Sequence, residues 1–424
     1  MKQLHNTISL RFYALTIVMF IISACTSTPA EPTDAPFVCD DTLGCVTIAP
    51  DEAIQLGSLQ VLSGNPAPLG MTQDQTIQLA ISERTIFGHS IEVMSVDTLC
   101  SSEGGGNAAL RLVANPQLVG VLGTTCSGAA VGALPTISDA GLVMISGLNT
   151  APSLTSTLGE EGSDHKPGYF RVIPTGVAFA SIAADYIFNE LGITKAASIN
   201  DGDAFSAGIA QVFRTQFTNL GGEIVGDLAI SKGDENMGPL LEALVLSEAE
   251  SVFIPIFQPE ADFIINQGAE IEELEDVQFI AMESLFVQSF IDAVGSNGNG
   301  MYFLTATVAD TPEIVELREN YEAMFGDAPQ HSAYVYAYDA ANMLLDAIEA
   351  VAIQNDDGTL HIGRQALRDA VAGTTNYEGI TGMLNCDEFG DCSGATLLVV
   401  QMEDATLGRE AVLDNVIKSY TLGQ

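Results

Sequence analysis

One stretch restricts the fold of this 424-residue chain more than any other: residues 118–152, LVGVLGTTCSGAAVGALPTISDAGLVMISGLNTAP. Its apolar runs at 119–122 and 142–145 are short, partly β-branched and bounded by glycine and hydroxyl residues, the pattern of buried parallel strands. Between them 128–140 reads as a small-residue crossover helix. Both strands of this unit end in polar turns, at 124–127 and 146–150. In an open parallel sheet, ligands sit beyond the carboxyl ends of the strands. A helix beginning near Gly128 aims its free N–H groups and the positive end of its dipole at the same place. With the hydroxyls of Ser127 and Thr150, the stretch reads as a seat for a small anion such as a carboxylate. It carries no catalytic group, which points to holding a small molecule rather than transforming it.

The address of the chain is written at its start. Residues 1–24 hold Lys2 and Arg11 as their only Lys or Arg, no acid, and an apolar run from Tyr13 to Ile22. That run is too short to span a bilayer and is followed by small residues, so 1–24 reads as a signal peptide. Ile22-Ser23-Ala24-Cys25 resembles a bacterial lipobox, in which cleavage precedes a cysteine that carries lipid. Lipidation of Cys25 would hold the protein on a membrane surface, with the Thr-, Pro- and Ser-rich residues 26–36 as a tether. The competing reading is an ordinary cleaved signal with a free Cys25. Six further cysteines, Cys39, Cys45, Cys100, Cys126, Cys386 and Cys392, form an even set that reads as disulfides in an exported chain. Cys39 with Cys45 and Cys386 with Cys392 would close tight local loops. Cys100 and Cys126 follow two candidate neighbouring strands, so their side chains can meet at the sheet edge. A zinc site competes poorly, because the cysteines show no CxxC spacing and no nearby histidine.

Removing the signal leaves 12 Lys and Arg (14 minus two) against 55 acids, a formal charge of −43. That sign excludes nucleic acid as a partner and reads as a solvated acidic surface. About 390 residues are too many for one compact core and suit two lobes. From Ala53 the pattern repeats strand, polar turn, helix: strands at 54–62, 91–96, 119–122 and 142–145, with helices near 70–83, 103–115 and 128–140. A polar, Gly-rich loop at 158–168 leads into 169–173 and Pro174, the edge of a lobe. The same grammar restarts with a helix at 177–191, a strand at 196–200, a helix at 206–220 and a strand at 223–230. Segments 237–246, 251–257, 260–270, 277–282 and 285–294 continue the alternation. The run 301–306 is expected to cross back to the first lobe, where 311–325 and 333–351 are helices, the second buried on nearly all sides. Segments 365–372, 379–384 and 395–400 close the chain, the last returning to the second lobe. The expected fold is α/β: two Rossmann-like lobes with parallel sheets joined by a three-segment hinge. The expected partition is 1–24 signal peptide, 25–52 tether with a local disulfide loop, 53–174 plus 305–378 as lobe 1, and 175–304 plus 379–424 as lobe 2.

Other motifs fail on inspection. Asp201-Gly202-Asp203 begins like a calcium loop, but its twelfth position is Val212. Residues 387–391, DEFGD, read better as a hairpin turn between strands than as a metal site. The glycines at 104–106 lack the lysine and hydroxyl of a phosphate loop. His89, His165, His331 and His361 are scattered, and Ser127 lies in CSG, not in a G-x-S-x-G elbow. No metal, cofactor or enzymatic activity is expected.

Taken together, several stretches resemble the leucine/isoleucine/valine-binding type of periplasmic receptor. They are QLGSLQVLSG at 55–64, residues 97–100 and 124–128, MISGLNTAP at 144–152, YFRVIPT at 169–175, INDGDAFSAG at 199–208, LGGEIVG at 220–226 and DEFGD at 387–391. They fall in that family's order, and the resemblance covers about 53–402. It implies a type I bilobal binding protein that feeds an ABC transporter, with a Cys100–Cys126 disulfide. It also implies that the ligand's α-carboxylate is held by Ser127 and Thr150, with backbone contacts from Leu148. Phe205 and Phe257 would close over the ligand from the second lobe, where ring faces allow a cation–π contact, and Glu283 would accept the α-ammonium. Two positions depart from the family pattern: Gly176 stands where many relatives carry an acid, and Leu69 where an aromatic residue is usual. The ammonium clamp then rests on Glu283, with Asp201 or Asp203 as helpers, and a carboxylate or amide without an ammonium stays open as a ligand. The implied protein is a monomeric, extracytoplasmic, lipid-anchored solute receptor serving an ABC permease. The alternative is a ligand-sensing receptor that passes lobe closure to a signalling partner.

Overall fold

The computed structural model describes residues 37–307, 310–394 and 396–421. The expected signal peptide, the lipid-bearing Cys25 and the tether at 26–36 lie outside the described residues. Residues Cys39–Gln424 pack as one unit built on two sheets.

The first sheet is formed by β1 (Ile54–Gln60), β2 (Ile91–Asp97), β3 (Leu118–Gly123), β4 (Val143–Ser146) and β5 (Tyr169–Arg171). Its order is β2-β1-β3-β4-β5, with every neighbouring pair parallel. All six residues of β3 and all four of β4 are buried, because helices cover both faces of the sheet. On one side lie α2 (Ser102–Val113) and α3 (Ser127–Asp139), packed on each other; on the other lie α1 (Ala67–Ser82) and the long helix Tyr334–Val351. Continuous apolar runs without alternation are what such two-sided burial requires.

The second sheet contains β6 (Lys195–Asn200), β7 (Glu223–Ala229), β8 (Ser251–Ile254), β9 (Gln278–Met282), β10 (Tyr302–Thr307), β11 (Thr396–Gln401) and β12 (Val416–Thr421). The order is β7-β6-β8-β9-β10-β11-β12. Its first five strands are parallel, while β11 and β12 add antiparallel. The helices α4 (Gly176–Asp185) and α5 (Ala204–Leu220) pack together in this half. Thr175 caps α4 and Asp203 caps α5 through side-chain oxygens, and Gly221 ends α5 in the left-handed conformation.

The chain passes between the sheets three times: after β5, after β10, and between Leu384 and β11. The fold is therefore the expected α/β pair of lobes on a three-segment hinge. One local expectation fails. The run 301–306 does not carry the chain across; it is strand β10 of the second sheet, paired with both β9 and β11. An apolar run of that length specifies burial, not which of two sheets buries it. Two smaller corrections concern local form. The helix expected at 177–191 is α4 continued by a π-helical turn, Tyr186–Glu190. Residues 387–391 form a tight turn in which Asp387 and Asp391 bond across their main chains, and no strand pair flanks it; Gly382–Leu384 pairs with Tyr377–Gly379 instead.

Three disulfides join the six cysteines: Cys39–Cys45, Cys100–Cys126 and Cys386–Cys392, with Cα separations of 6.0, 5.3 and 3.8 Å. The first ends the strand Cys45–Ile48, which pairs antiparallel with Leu360–Gly363.

Candidate functional site

Both sheets reverse their strand order beside their first strand: β1 lies between β2 and β3, and β6 between β7 and β8. Crevices open beyond the carboxyl ends of the strands at such points. A small pocket between the lobes is lined largely from those ends. Thr125 and Ser127 follow β3, Leu148 follows β4, and Leu69 sits in the first turn of α1 after β1. From the second sheet come Phe205 after β6, Phe257 after β8, and Glu283 and Ser284 after β9, while His331 reaches in from the loop before Tyr334–Val351. The cavity volume is about 10 Å³, close to one water molecule. The lobes thus stand closed, and a larger ligand enters only as they part.

The first-lobe wall is a web of hydrogen bonds. Ser146 Oγ accepts from the N–H groups of Leu148 (3.1 Å) and Asn149 (2.9 Å) and donates to the Thr124 carbonyl (3.0 Å). Thr124 Oγ1 donates to the Cys126 carbonyl (2.8 Å), and Asn149 Nδ2 to the Thr125 carbonyl (3.1 Å). Ser127 Oγ accepts from Ala151 N–H at 3.2 Å, which stitches the start of α3 to the loop after β4. The N-cap of α3 is Cys126, which makes no side-chain cap bond. Its sulfur is committed to Cys100, so the first N–H groups of α3 receive no side-chain acceptor from their own cap. Thr150 is 1 % exposed and its Oγ1 has no partner. It is not among the residues that line the pocket in this closed form, and its carbonyl accepts from Gly176 N–H at 2.7 Å.

The second-lobe wall is built differently. The Phe205 and Phe257 rings lie 4.8 Å apart, tilted by 31°. Glu283 is 4 % exposed with Oε2 unpartnered, and burial pushes its carboxyl well above the usual range. The Glu283 carbonyl accepts from His331 Nε2 at 3.2 Å, while His331 Nδ1 accepts from Ala333 N–H at 3.0 Å. These partners assign a neutral ring protonated on Nε2, and burial lowers the His331 pKa to about 4. The Tyr336 hydroxyl is also buried without a partner, and the Glu283 charge adds to burial in raising its pKa.

Closure brings a second-lobe carboxylate onto α3. A Cβ placed on Gly128 would lie 2.4 Å from Asp203 Oδ2, so a larger residue there requires the Asp203 carboxylate to shift. Lys232 Nζ pairs with the same oxygen at 2.8 Å, and Oδ1 caps α5 by accepting from Phe205 N–H at 3.0 Å. At the hinge, a Cβ on Gly176 would meet Ile209 Cγ1 and the Thr150 carbonyl at 2.5 Å each. No acidic side chain can occupy that position without moving one of them.

Of the residues singled out from sequence, Ser127, Leu148, Phe205, Phe257 and Glu283 meet around one pocket and Thr150 adjoins it. Thr125, Ser284 and His331 were missed as lining residues. Thr125 and Ser284 stand beside named positions, but nothing local distinguishes His331 from the other histidines. Among the described residues no group of three His, Cys, Asp or Glu is placed to hold a metal, and no helix is long and apolar enough to cross a membrane.

Two α/β lobes closing on a strand-end pocket define a type I solute-binding protein. Residues 53–397 match the family model described as periplasmic binding protein, and the chain belongs to that family, whose members are extracytoplasmic solute-binding proteins and not enzymes. It is similar to an amino acid binding protein of Pseudomonas aeruginosa, 29 % identical over 185 residues, covering 44 % of this chain and about half (48 %) of that protein. It is also similar to Leu/Ile/Val-binding protein homolog 3 of Brucella melitensis, 23 % identical over 363 residues, covering 84 % of this chain and 92 % of that protein. Among solved structures, the leucine-binding protein LivK of Thermotoga maritima superposes with a TM-score of 0.73 at 20 % identity, over 88 % of this chain and 98 % of that one. At that identity the likeness establishes the fold alone.

Proposed function

We propose that this protein is the lipid-anchored receptor of an ABC permease and captures a small α-amino acid by its carboxylate and ammonium groups. The carboxylate seats on Ser127, Thr150 and the start of α3, with Leu148 supplying backbone contacts. Phe205 and Phe257 cover the side chain, and Glu283 receives the ammonium. Closure around the ligand then presents the closed form to the permease, because a ligand favours the state that it contacts from both sides.

One observation carries the reading. Two polar atoms, Thr150 Oγ1 and Glu283 Oε2, are buried without partners on opposite sides of the same closure. Each such orphan costs roughly 1–3 kcal/mol unless something satisfies it. A hydroxyl able to donate and a carboxyl able to accept are what the two ends of an amino acid ask for. Two of its relatives, an amino acid binding protein and a Leu/Ile/Val-binding protein homolog, favour the same class.

The test is calorimetric titration with L-leucine, L-isoleucine, L-valine and 4-methylpentanoate, which lacks the ammonium. Ser127→Ala combined with Thr150→Ala is expected to weaken amino acid binding by about 100-fold or more, two hydrogen bonds to a charged group being lost, with the fold retained by circular dichroism. Unaltered affinity in the double variant would sink the assignment.

A further inference from the structure

We infer that Arg171 and Asp391 form a positioning pair that sets the loop 148–152 and ties it to two of the three crossings between the lobes. This rests on the reading of that loop as part of the ligand seat. Arg171 ends β5 and is fully buried, at 0 % exposure. Its Nε donates to Asp391 Oδ1 at 2.5 Å, Nη2 donates to Thr155 Oγ1, and Nη1 donates to the carbonyls of Ala151 (2.8 Å) and Asn149 (3.3 Å).

Those two carbonyls flank Thr150. The Asn149–Thr150 peptide is not among the cis bonds, and in a planar trans peptide C=O and N–H point opposite ways. Drawing the Asn149 carbonyl onto Arg171 therefore turns the Thr150 N–H away from the guanidinium. A guanidinium can do this because its planar fork serves a carboxylate along one edge and carbonyls along another; an ammonium lacks that geometry.

The same pair spans the hinge. Arg171 N–H donates to the Gly390 carbonyl at 3.0 Å and Cys392 N–H to the Arg171 carbonyl at 2.9 Å, and Asp391 sits inside the turn closed by Cys386–Cys392. Arg171 precedes the first crossing, which enters α4 at Gly176, and Asp391 precedes the third, which enters β11 at Thr396. Seat and hinge are thus fastened at one buried point.

The experiment compares Arg171→Lys and Asp391→Asn with the wild type by amide hydrogen exchange of the ligand-free protein and by titration with L-leucine. Arg171→Lys is expected to speed exchange at 148–152 and 386–392 by about tenfold or more, as one charge-assisted grip is lost, while β1 and β3 exchange as before. L-Leucine affinity is expected to fall by about tenfold on the same basis. Asp391→Asn keeps an acceptor oxygen for Nε–H and is expected to lose less in both measurements. Exchange that rises equally everywhere, or not at all at 148–152, overturns the inference. So does full L-leucine affinity in Arg171→Lys when the Ser127 and Thr150 double variant has lost it. If the wild type ignores L-leucine, or the double variant binds it normally, the ligand reading fails while the exchange data still decide the positioning role.

Discussion

The two walls of the pocket are made of different material. On the first-lobe side, the hydroxyls of Thr124, Ser127 and Ser146 and the Asn149 amide hold the strand-end turns in one arrangement before anything binds. On the second-lobe side, two phenyl rings and a carboxyl with an unpartnered oxygen depend on packing for their placement. Under the proposed function, the difference leads us to expect an order of events. A wall whose polar groups are already oriented costs little to use, so it makes the encounter. A wall that is apolar and unsatisfied gains most from being covered, so it completes the closure.

The largest way to break this contrast is at the point where the walls meet. Gly128→Ala puts a methyl group 2.4 Å from Asp203 Oδ2, and overpacking of that kind typically costs about 1–3 kcal/mol. The cost falls on the closed form alone, because Asp203 belongs to the other lobe. Ligand affinity is therefore expected to drop by about 10- to 100-fold. The open protein should be no less stable, since alanine favours helix over glycine. Calorimetry together with small-angle scattering in the presence of ligand checks both parts. Adding Asp203→Ala should restore much of the closure; no restoration would mean that the clash is relieved or felt elsewhere.

A smaller effect separates the two ends of the ligand. Burial raises the Glu283 pKa, so above the ordinary carboxyl range the folded state holds a proton that the unfolded chain has released. Stability then falls as pH rises through that window. Glu283→Gln imitates the protonated acid and removes this penalty, so the ligand-free variant is expected to melt higher at neutral pH. Its affinity for L-leucine should fall by about tenfold, the loss of one charged hydrogen bond, while 4-methylpentanoate is affected little. Equal losses for both ligands would show that no ammonium is read at this position.

What was legible in the sequence follows from how local each signal is. The strands β3 and β4 and the turns after them could be read because short apolar runs ending in Gly, Ser and Thr report their own burial and their own termini. Phe205, Phe257 and Glu283 were legible through motif order and not through any local pattern, since an aromatic residue or an acid after a strand is ordinary. The contacts that fasten the site were not legible. Asp203 meets Gly128, Arg171 meets Asp391 and His331 meets Glu283 across 75, 220 and 48 residues of chain. Only the tertiary arrangement brings these groups together. The misplaced crossing at 301–306 has the same origin: β10 is long and apolar enough for either sheet, and pairing with β9 and β11 decided the matter.

The smallest expected effect concerns the one hydrogen bond that runs from the first-lobe loop to the backbone of the second-lobe acid. His331 has its pKa lowered to about 4 by burial, against an ordinary value near 6.5. Between those values the unfolded chain binds a proton that the folded protein refuses. The stability held above about pH 6.5 is therefore lost as pH falls toward 4. Glu283, beside it, acts in the opposite sense, gaining stability on acidification through its own raised window, so the two contributions oppose each other in the wild type. His331→Gln keeps one donor for the Glu283 carbonyl and one acceptor for Ala333 N–H but cannot take up a proton. At pH 7 its L-leucine affinity is expected to stay within about threefold of the wild type, a change below 1 kcal/mol. Its melting temperature, followed from pH 7 to pH 5, is expected to decline less than that of the wild type, because the destabilising contribution of His331 is gone. Parallel declines in the two proteins would show that His331 takes its proton in the folded state at an ordinary pH, and with it that the bond to Glu283 does not hold the ring neutral.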